Sequence, residues 1–268
     1  MSWETGVIPV QIPTPMGTKL RWTWQRLTVI LANVFAEPDP RQNGGDLIQL
    51  HPEGSRVALF PKQKNTLVIF DWDDTLAPTT FAQSNNLAGL NPNAIEAANP
   101  SHVALVRRVA RVVARTLRSA SRLGSLVILT NGQKGWVELS CSSWMPEVFP
   151  LLSSATIISA RSTLEPMGVR TPADWKRLAI ERVLQQAYAR LRDSSDTPCL
   201  NVLSVGDASH DRAALLSATR KLPRCRAKSI KFCERPGPSQ LVRQLSLLHS
   251  CLTPLVEHKG NLDLRMEC

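Results

Sequence analysis

The sequence predicts an α/β protein built as a three-layer sandwich around a mainly parallel sheet of about five strands. The first observation is that short apolar, β-branched runs of strand length recur along the chain. The second is that amphipathic helical segments separate these runs, an alternation typical of parallel βαβ units. With 268 residues, of which 43% are hydrophobic and 20% charged, the chain is long enough to bury a full core.

The predicted strands are apolar, and most of them end on or just before a polar residue. They cover residues 67–70, 126–130, 155–159, 199–205 and 227–232, and residues 261–266 are predicted to add an edge strand. Because open parallel sheets bind ligands outside the carboxyl ends of their strands, the polar residues at these ends are the candidate site residues.

The predicted helices carry apolar residues at spacings of three and four. They cover residues 101–122, 136 to the proline at 146, 171–192 and 239–255. The third begins with Thr171 as N-cap, Pro172 at N1 and Asp174 at N3. Lys176 lies near its first turn, where the helix dipole disfavours a cation. That lysine is either a solvated surface residue or the partner of an anion.

Residues 1–60 are predicted to be an N-terminal extension, partly irregular, that precedes a main domain at 61–268. Several prolines and the Gly44-Gly45 pair interrupt the extension. Within it, residues 20–36 could form a helix or strand docked on the main domain. Their tryptophans could instead mark a surface for a partner.

The net charge of +10 belongs entirely to the main domain, because residues 1–60 contain equal numbers of basic and acidic residues. A basic domain favours anionic partners such as phosphate esters, nucleic acid or an anionic membrane surface. The predicted helix 101–122 carries a row of arginines and no acid. These are Arg107, Arg108, Arg111, Arg115, Arg118 and Arg122. The row is either a solvated face or a contact surface for a polyanion such as nucleic acid.

The sequence shows no secretory signal, and its longest apolar run, 27–36, is too short to span a bilayer of about 30 Å. The six cysteines form no Cys-x-x-Cys pair and none has histidine at a metal-binding spacing. We therefore expect an intracellular, cytoplasmic protein without a membrane span, with reduced and mostly buried thiols.

Three carboxylates follow the first predicted strand, at Asp71, Asp73 and Asp74. Asp71 and Asp73 would leave the strand on the same side, since strand residues alternate between faces. Clustered carboxylates repel one another and are costly to bury, so the arrangement needs a cation. The alternative is an ordinary acidic turn that closes a core strand.

The other strand ends supply further polar groups. The second strand ends at Thr130 and is followed by an Asn131-Gly132 turn, and the third leads to Arg161. The fourth reaches Asp207 and Asp211, while Lys176 begins a helix on the same edge of the sheet.

The ordered set resembles the haloacid dehalogenase superfamily of phosphotransferases. Four motifs match, in order: Asp-x-Asp-x-Thr at Asp71, Asp73 and Thr75, a strand-end hydroxyl at Thr130, a lysine at Lys176, and Gly-Asp-x-x-x-Asp from Gly206 to Asp211. The resemblance covers residues 64–245, and the run at 70–76 is most similar to an uncharacterised eukaryotic branch of the superfamily.

The resemblance implies a Rossmann-like fold and a Mg²⁺-dependent phosphatase that acts through an aspartyl-phosphate. Asp71 is then the nucleophile, and Asp73 the general acid and base. Thr130 donates a hydrogen bond to the phosphoryl group, and Lys176 offsets negative charge. The implied metal ligands are Asp71, the backbone carbonyl of Asp73, Asp207 and Asp211, and the implied substrate-binding residues are Thr75, Asn131, Gly132 and Arg161.

The segments where this superfamily inserts a cap domain are too short here to form a lid. An open site is therefore expected, and it suits a large phosphorylated substrate, although the N-terminal extension could cover it. Two alternatives stay open: a catalytically silent protein that binds through its basic face, and a phosphatase that processes nucleic-acid ends.

Overall fold

A computed structural model describes residues 4–7, 65–85, 87, 99–192 and 199–267. Their strands form one sheet in the order β1-β7-β6-β5-β2-β3-β4, and every pairing is parallel. The strands are β1 (Glu4–Val7), β2 (Thr66–Phe70), β3 (Ser125–Thr130), β4 (Ala155–Ser159), β5 (Leu200–Gly206), β6 (Cys225–Lys231) and β7 (Leu262–Arg265).

Helices lie on both faces of the sheet, which confirms the predicted three-layer α/β sandwich. They are α1 (Thr79–Ser84), α2 (Pro100–Leu123), α3 (Trp136–Trp144), α4 (Ala160–Leu164), α5 (Pro172–Arg192), α6 (Ser209–Thr219) and α7 (Pro238–Glu257). The predicted helix after residue 136 ends before Pro146, and a 3₁₀ helix at Phe149–Ser154 follows it.

The sheet is larger than the sequence predicted, with seven strands in the described residues rather than about five. Residues 261–266 do contain a strand, β7, but it is not at the edge. β1 pairs along its outer side, with Glu4 opposite Leu262. The proposed boundary at residue 60 and the segment 20–36 lie outside the described residues.

Two apolar cores hold the sandwich together, one on each face of the sheet. Val68 and Phe70 face the core formed with α2 and α7, whereas Leu67 and Ile69 face the core formed with α5 and α6. This is the alternation expected of a strand covered on both sides. It explains why β2 is a continuous apolar run rather than a polar–apolar alternation.

Helix ends follow from local chemistry. Asn99 caps α2 by accepting a hydrogen bond from the Ser101 backbone N–H, and Pro100 occupies the first turn. The predicted cap of α5 is confirmed, since the Thr171 hydroxyl oxygen accepts from the Asp174 backbone N–H at 3.1 Å. These caps fix where the two helices begin relative to the sheet edge.

The order of the strands places a crevice at the end of β2. From β2 the chain first builds β3 and β4 on one side, and later β5, β6 and β7 on the other. In open α/β sheets this reversal is where ligands bind, outside the carboxyl ends of the strands. The polar residues after β2, β3 and β5 therefore meet at one position.

The remaining expectations concern cysteines and membrane segments. Cys141, Cys199, Cys225 and Cys251 are free thiols, as expected. Cys233 is disulfide-bonded, which differs from the expectation of reduced cysteines. Among the described residues, no helix is both long and apolar enough to cross a bilayer.

Candidate active site

Asp71 is delivered by the central strand. Its backbone N–H continues the pairing of β2 with β5 by donating to the Val205 carbonyl at 2.9 Å. By strand alternation its side chain points to the same face as Ile69, toward α5. Asp71 is buried, so its carboxylate needs partners.

Lys176 of α5 is the first of these partners. Its ammonium group pairs with Asp71 Oδ1 and lies 2.9 Å from Asp211 Oδ1. It also donates to the Leu129 carbonyl at 2.7 Å. The side chain is only 2% exposed, so Lys176 is a buried ion-pair partner and not a solvated surface lysine.

Asp207 and Asp211 follow β5. Asp207 Oδ2 accepts from the Arg235 backbone N–H at 3.2 Å, and Asp211 Oδ2 accepts from the Ala208 N–H at 3.3 Å. A Cβ on Gly206 would lie 2.5 Å from Asp211 Oδ2. The glycine of the Gly-Asp-x-x-x-Asp motif is therefore required by the close approach of the Asp211 side chain.

Three buried carboxylates converge at the end of the sheet. Asp71, Asp207 and Asp211 each offer an oxygen, and these oxygens all lie within 4.8 Å of one another. The Thr75 hydroxyl lies 3.2 Å from Asp71 Oδ2 and 3.5 Å from Asp207 Oδ1. An all-oxygen group of this kind can hold a hard divalent cation such as Mg²⁺.

The carboxylates carry more negative charge than Lys176 balances. Burial raises the pKa of Asp71 well above its usual value, and the charges of Asp211 and Asp73 add to this while Lys176 opposes it. Burial, with Asp211 and Asp74, raises the pKa of Asp207 to about 6 despite the Arg235 N–H.

Lys176 itself stays charged. Burial favours the neutral amine, but the charges of Asp211 and Asp71 and their hydrogen bonds outweigh it and raise the pKa of Lys176. The remaining negative charge is the charge that a bound cation would compensate.

Asp73 belongs to a separate hydrogen-bond cluster. Its Oδ1 accepts from the Thr79 hydroxyl and from Trp136 Nε1, both at 2.8 Å, and its Oδ2 accepts from the Thr130 hydroxyl at 2.9 Å. Three donors from three segments fix the orientation of this carboxylate. Of the predicted metal-ligand set, Asp73 is the residue whose side chain lies outside the three-carboxylate group.

Thr130 is at the predicted strand end, but its hydroxyl proton is already used. It donates to Asp73, while its oxygen accepts from the Gly132 backbone N–H at 2.8 Å. A Cβ on Gly132 would collide with the Trp136 ring. Gly132 therefore allows Trp136 to reach Asp73.

The other predicted substrate-binding residues lie in different surroundings. Asn131 donates to the Pro172 carbonyl at 3.2 Å and lies 3.5 Å from His210 Nε2. Arg161 pairs with Glu165 at 2.9 Å and stacks over the Trp175 ring at 5.4 Å. Within the described residues, neither of these contacts joins Arg161 to the carboxylate cluster.

Asp74 has a structural role in the turn. Its backbone φ of 55° is left-handed, a conformation that aspartate tolerates better than most residues. Its carboxylate accepts from the backbone N–H and the hydroxyl of Thr80 at the start of α1. Asp74 is therefore a locally hydrogen-bonded turn residue, and it is buried.

Sequence reasoning missed several contacts around the site. The most informative are Trp136 and Thr79 on Asp73, and Lys231, whose ammonium group donates to the Asp207 carbonyl at 2.9 Å. Lys231 is the last residue of β6, so its strand-end position was a usable signal, as was the position of Trp136 shortly after Thr130 and Gly132. Thr79 belongs to no strand-end motif.

No family model matches the chain, and no curated protein matches it. Among solved structures, the chain is similar to two crystal structures of the Legionella pneumophila effector Ceg4, one with an N-terminal TEV protease cleavage sequence and one with an N-terminal yeast Hog1p sequence. The first has 15% identity over 77% of this chain and 99% of that chain, with a TM-score of 0.36. The second has 14% identity over 74% and 99%, with a TM-score of 0.33.

This similarity is distant in sequence and in structure. The parallel sheet and the buried Asp71, Asp207 and Asp211 group are compatible with a phosphatase of the haloacid dehalogenase type.

Proposed function

We propose that the protein is a Mg²⁺-dependent phosphomonoester hydrolase that acts through a phosphorylated Asp71. The observation that carries the proposal is the group of buried carboxylates at the switch point of the sheet, with the buried Lys176 against Asp71. A protein that only binds ligands has no need of this combination, because buried carboxylates at close range are costly to keep.

The metal site consists of Asp71, Asp207 and Asp211, and the Asp73 backbone carbonyl completes the set implied by the motif resemblance. The donors are all oxygens, and the raised pKa values of Asp71 and Asp207, caused first by burial, support a site in which a cation would favour the ionised carboxylates. When bound, Mg²⁺ lowers the repulsion between the carboxylates and an incoming phosphate dianion.

Asp71 is the nucleophile. One of its oxygens forms a bond to phosphorus, and the bond between phosphorus and the ester oxygen breaks. Lys176 and Thr75 contact the two oxygens of Asp71 and hold the carboxylate in one orientation. The positive charge of Lys176 also balances the negative charge that Asp71 and the phosphoryl group share.

Asp73 is the general acid and base. As the acid, it gives its proton to the leaving oxygen. As the base, it takes a proton from the water that attacks the phosphoryl group, which releases inorganic phosphate and restores the Asp71 carboxylate. Trp136 and Thr79 position this carboxyl group through their hydrogen bonds to Oδ1.

Thr130 acts through an exchange of partners. A hydroxyl has one proton, and that of Thr130 is donated to Asp73. To donate to a phosphoryl oxygen, Thr130 must release its hydrogen bond to Asp73 Oδ2. Once released, Oδ2 can carry the proton that Asp73 gives to the leaving oxygen. Substrate binding and the freeing of the acid are coupled in this proposal.

We expect the site to be open to a large phosphorylated substrate, judging from the described segment after β4. Between β4 and α5 the chain forms only α4 and a 3₁₀ turn at Glu165–Met167. A lid domain needs tens of residues of packed structure. Neither the cytoplasmic location nor a nucleic-acid substrate has further support from the described residues, and both stay predictions.

Turnover of a generic aryl phosphate with Mg²⁺ tests the proposal. Wild type should hydrolyse the ester, and Asp71→Asn should reduce the rate by at least about 10⁴-fold. Asp263→Asn is the matched control, because Asp263 is also buried and ion-paired, with Arg212, but lies outside the cluster. Rates of wild type and Asp71→Asn that are both equal to the uncatalysed background would instead favour a catalytically silent binding protein.

A further inference from the structure

A groove lined by arginines lies between α2 and α7, apart from the carboxylate site. Its volume is about 640 Å³. Four arginines of α2 line it: Arg108, Arg111, Arg115 and Arg118. All four are exposed, and none pairs with a carboxylate of the described residues. We infer that this arginine groove binds an acidic segment of another polypeptide.

The arginines form one continuous row. They are three, four and three residues apart, so they lie on one side of the helix. At a rise of 1.5 Å per residue the row is about 15 Å long. That length matches about ten residues of a helical partner or about five residues of an extended one.

The floor of the groove favours a polypeptide over a nucleic acid. It includes Val112 of α2 and Val242 of α7, and none of the described lining residues is aromatic. Single-stranded nucleic acid is usually held by aromatic side chains on which bases stack. An aliphatic floor with a charged rim instead suits an amphipathic peptide that presents both acidic and apolar side chains.

The walls of the groove support the same choice. Glu147 lines one part of it and would repel a continuous phosphate backbone, whereas a peptide can place a neutral or basic residue there. Ser246 adds a hydroxyl. One turn further along α7, His249 lies close enough to Arg115 that burial and this positive charge lower its pKa. The buried Nδ1 of His249 has no hydrogen-bond partner among the described residues.

Unpaired guanidinium groups that face a groove are a natural site for carboxylates. Arginine forms bidentate hydrogen bonds with a carboxylate, and these are stronger in a partly enclosed groove than on an open surface. The inference does not rest on the phosphatase proposal, because the groove uses none of the proposed catalytic residues.

The test is binding of a fluorescent peptide of about ten residues, with glutamates spaced to face the arginine row and leucines between them. We expect saturable binding at low salt that weakens as salt increases. The charge-reversal variant R111E/R115E should weaken it at least about tenfold. The matched variant R107E/R122E changes two exposed arginines of the same helix that lie outside the groove lining, and it should change affinity less than about twofold.

Three further readouts separate specific from general effects. Binding of the peptide should shift the NMR signals of His249, and a peptide with glutamine at every glutamate should not bind. Turnover of the aryl phosphate should be the same in R111E/R115E and wild type, which keeps this test independent of the catalytic proposal. Absence of acidic-peptide binding, or equal losses in both double variants, would overturn the inference. Tighter binding of an oligonucleotide of equal charge that is lost in R111E/R115E would assign the groove to nucleic acid instead.

Discussion

Two lysines are buried in the part of the chain that the structure describes, and their surroundings differ in one respect. Lys176 is 2% exposed and faces Asp71 and Asp211. Lys228 of β6 is fully buried, and its ammonium group donates to Asn201 Oδ1 and to the Val256 carbonyl. Among the described residues, Lys176 therefore has charged hydrogen-bond partners, whereas the partners of Lys228 are neutral.

The pKa values follow from this difference. Burial is the largest influence on both lysines and favours the neutral amine. At Lys176 the two carboxylates reverse the effect and raise the pKa. At Lys228 burial and the charge of Arg226 lower the pKa to about 8. The comparison separates a buried lysine whose charge is maintained by two carboxylates from one whose charge is opposed by burial and by Arg226.

The two positions in the fold agree with this separation. Lys176 lies beside the carboxyl end of β2, at the switch point of the sheet. Lys228 lies within β6, opposite Leu203 of β5 and Leu262 of β7. Only the first position is one where open α/β sheets bind ligands.

The largest predicted difference between the two lysines appears when each is replaced in turn. Lys176→Met should lower turnover of an aryl phosphate by about 10³-fold, because a charge that stabilises the transferring group is lost. Lys228→Met should retain turnover within about twofold, since it contacts no site residue. Steady-state kinetics with Mg²⁺ measures both, and Lys176→Arg tests whether charge without the lysine geometry is enough. Similar losses in both methionine variants would show that burial, and not the carboxylates, is the important property.

A second prediction concerns Mg²⁺ itself. At a hundredfold excess over the dissociation constant, Mg²⁺ should stabilise wild type by about 2.7 kcal/mol. Asp207→Asn should lose most of this effect, and Lys228→Met should keep it. Because the ion needs the ionised carboxylate and the pKa of Asp207 is about 6, the stabilisation should fall below that pH. Thermal unfolding with and without Mg²⁺ over a pH series provides the measurement.

The third prediction uses the depressed pKa of Lys228. Its folded-state pKa of about 8 is below that of an unfolded lysine, so between these values the unfolded chain binds more protons. Stability should therefore rise with pH through this window, by about 2 kcal/mol between pH 7 and about pH 9.5. Denaturant unfolding at both pH values measures the free energy of unfolding of wild type and of Lys228→Met. The difference between the two proteins is the contribution of Lys228. If the difference does not change with pH, then Lys228 is not the titrating group.

The smallest effect should come from Trp136. Trp136→Phe removes one of the three hydrogen bonds to Asp73 and keeps an aromatic ring, although a smaller one, at this position. Turnover should fall about tenfold, corresponding to about 1.4 kcal/mol. The pH dependence of the rate should change as well, because Asp73 is the proposed acid and base. Trp144→Phe is a suitable control, since its Nε1 donates to the Leu87 carbonyl and not to Asp73.

The sequence was sufficient for the parts of this protein that depend on local pattern. Apolar runs predicted the strands, and the rule that parallel strands present ligands at their carboxyl ends placed Asp71, Asp207 and Asp211 together. Lys176 was found by the motif resemblance, although its local position near a helix start gave no indication of burial.

The remaining features depend on contacts between distant segments. Trp136 reaches Asp73 across 63 residues, and no spacing rule connects them. Lys228 was not recognised as a buried lysine, because a lysine inside a strand is normally assigned to an exposed face. β1 was missed because four residues near the chain start show no strand pattern without their partner, β7.

Covalent trapping is the most direct test of the proposal that Asp71 is phosphorylated during turnover. Asp73→Asn is incubated with a radiolabelled phosphomonoester and Mg²⁺, quenched in acid and digested, because loss of the general base should slow hydrolysis of the intermediate. If Asp71 is the nucleophile, an acid-stable label should appear on the peptide that contains Asp71. The label should be absent without Mg²⁺ and absent when Asp71→Asn is added. Label on another residue, or full turnover by Asp71→Asn, would contradict the proposal.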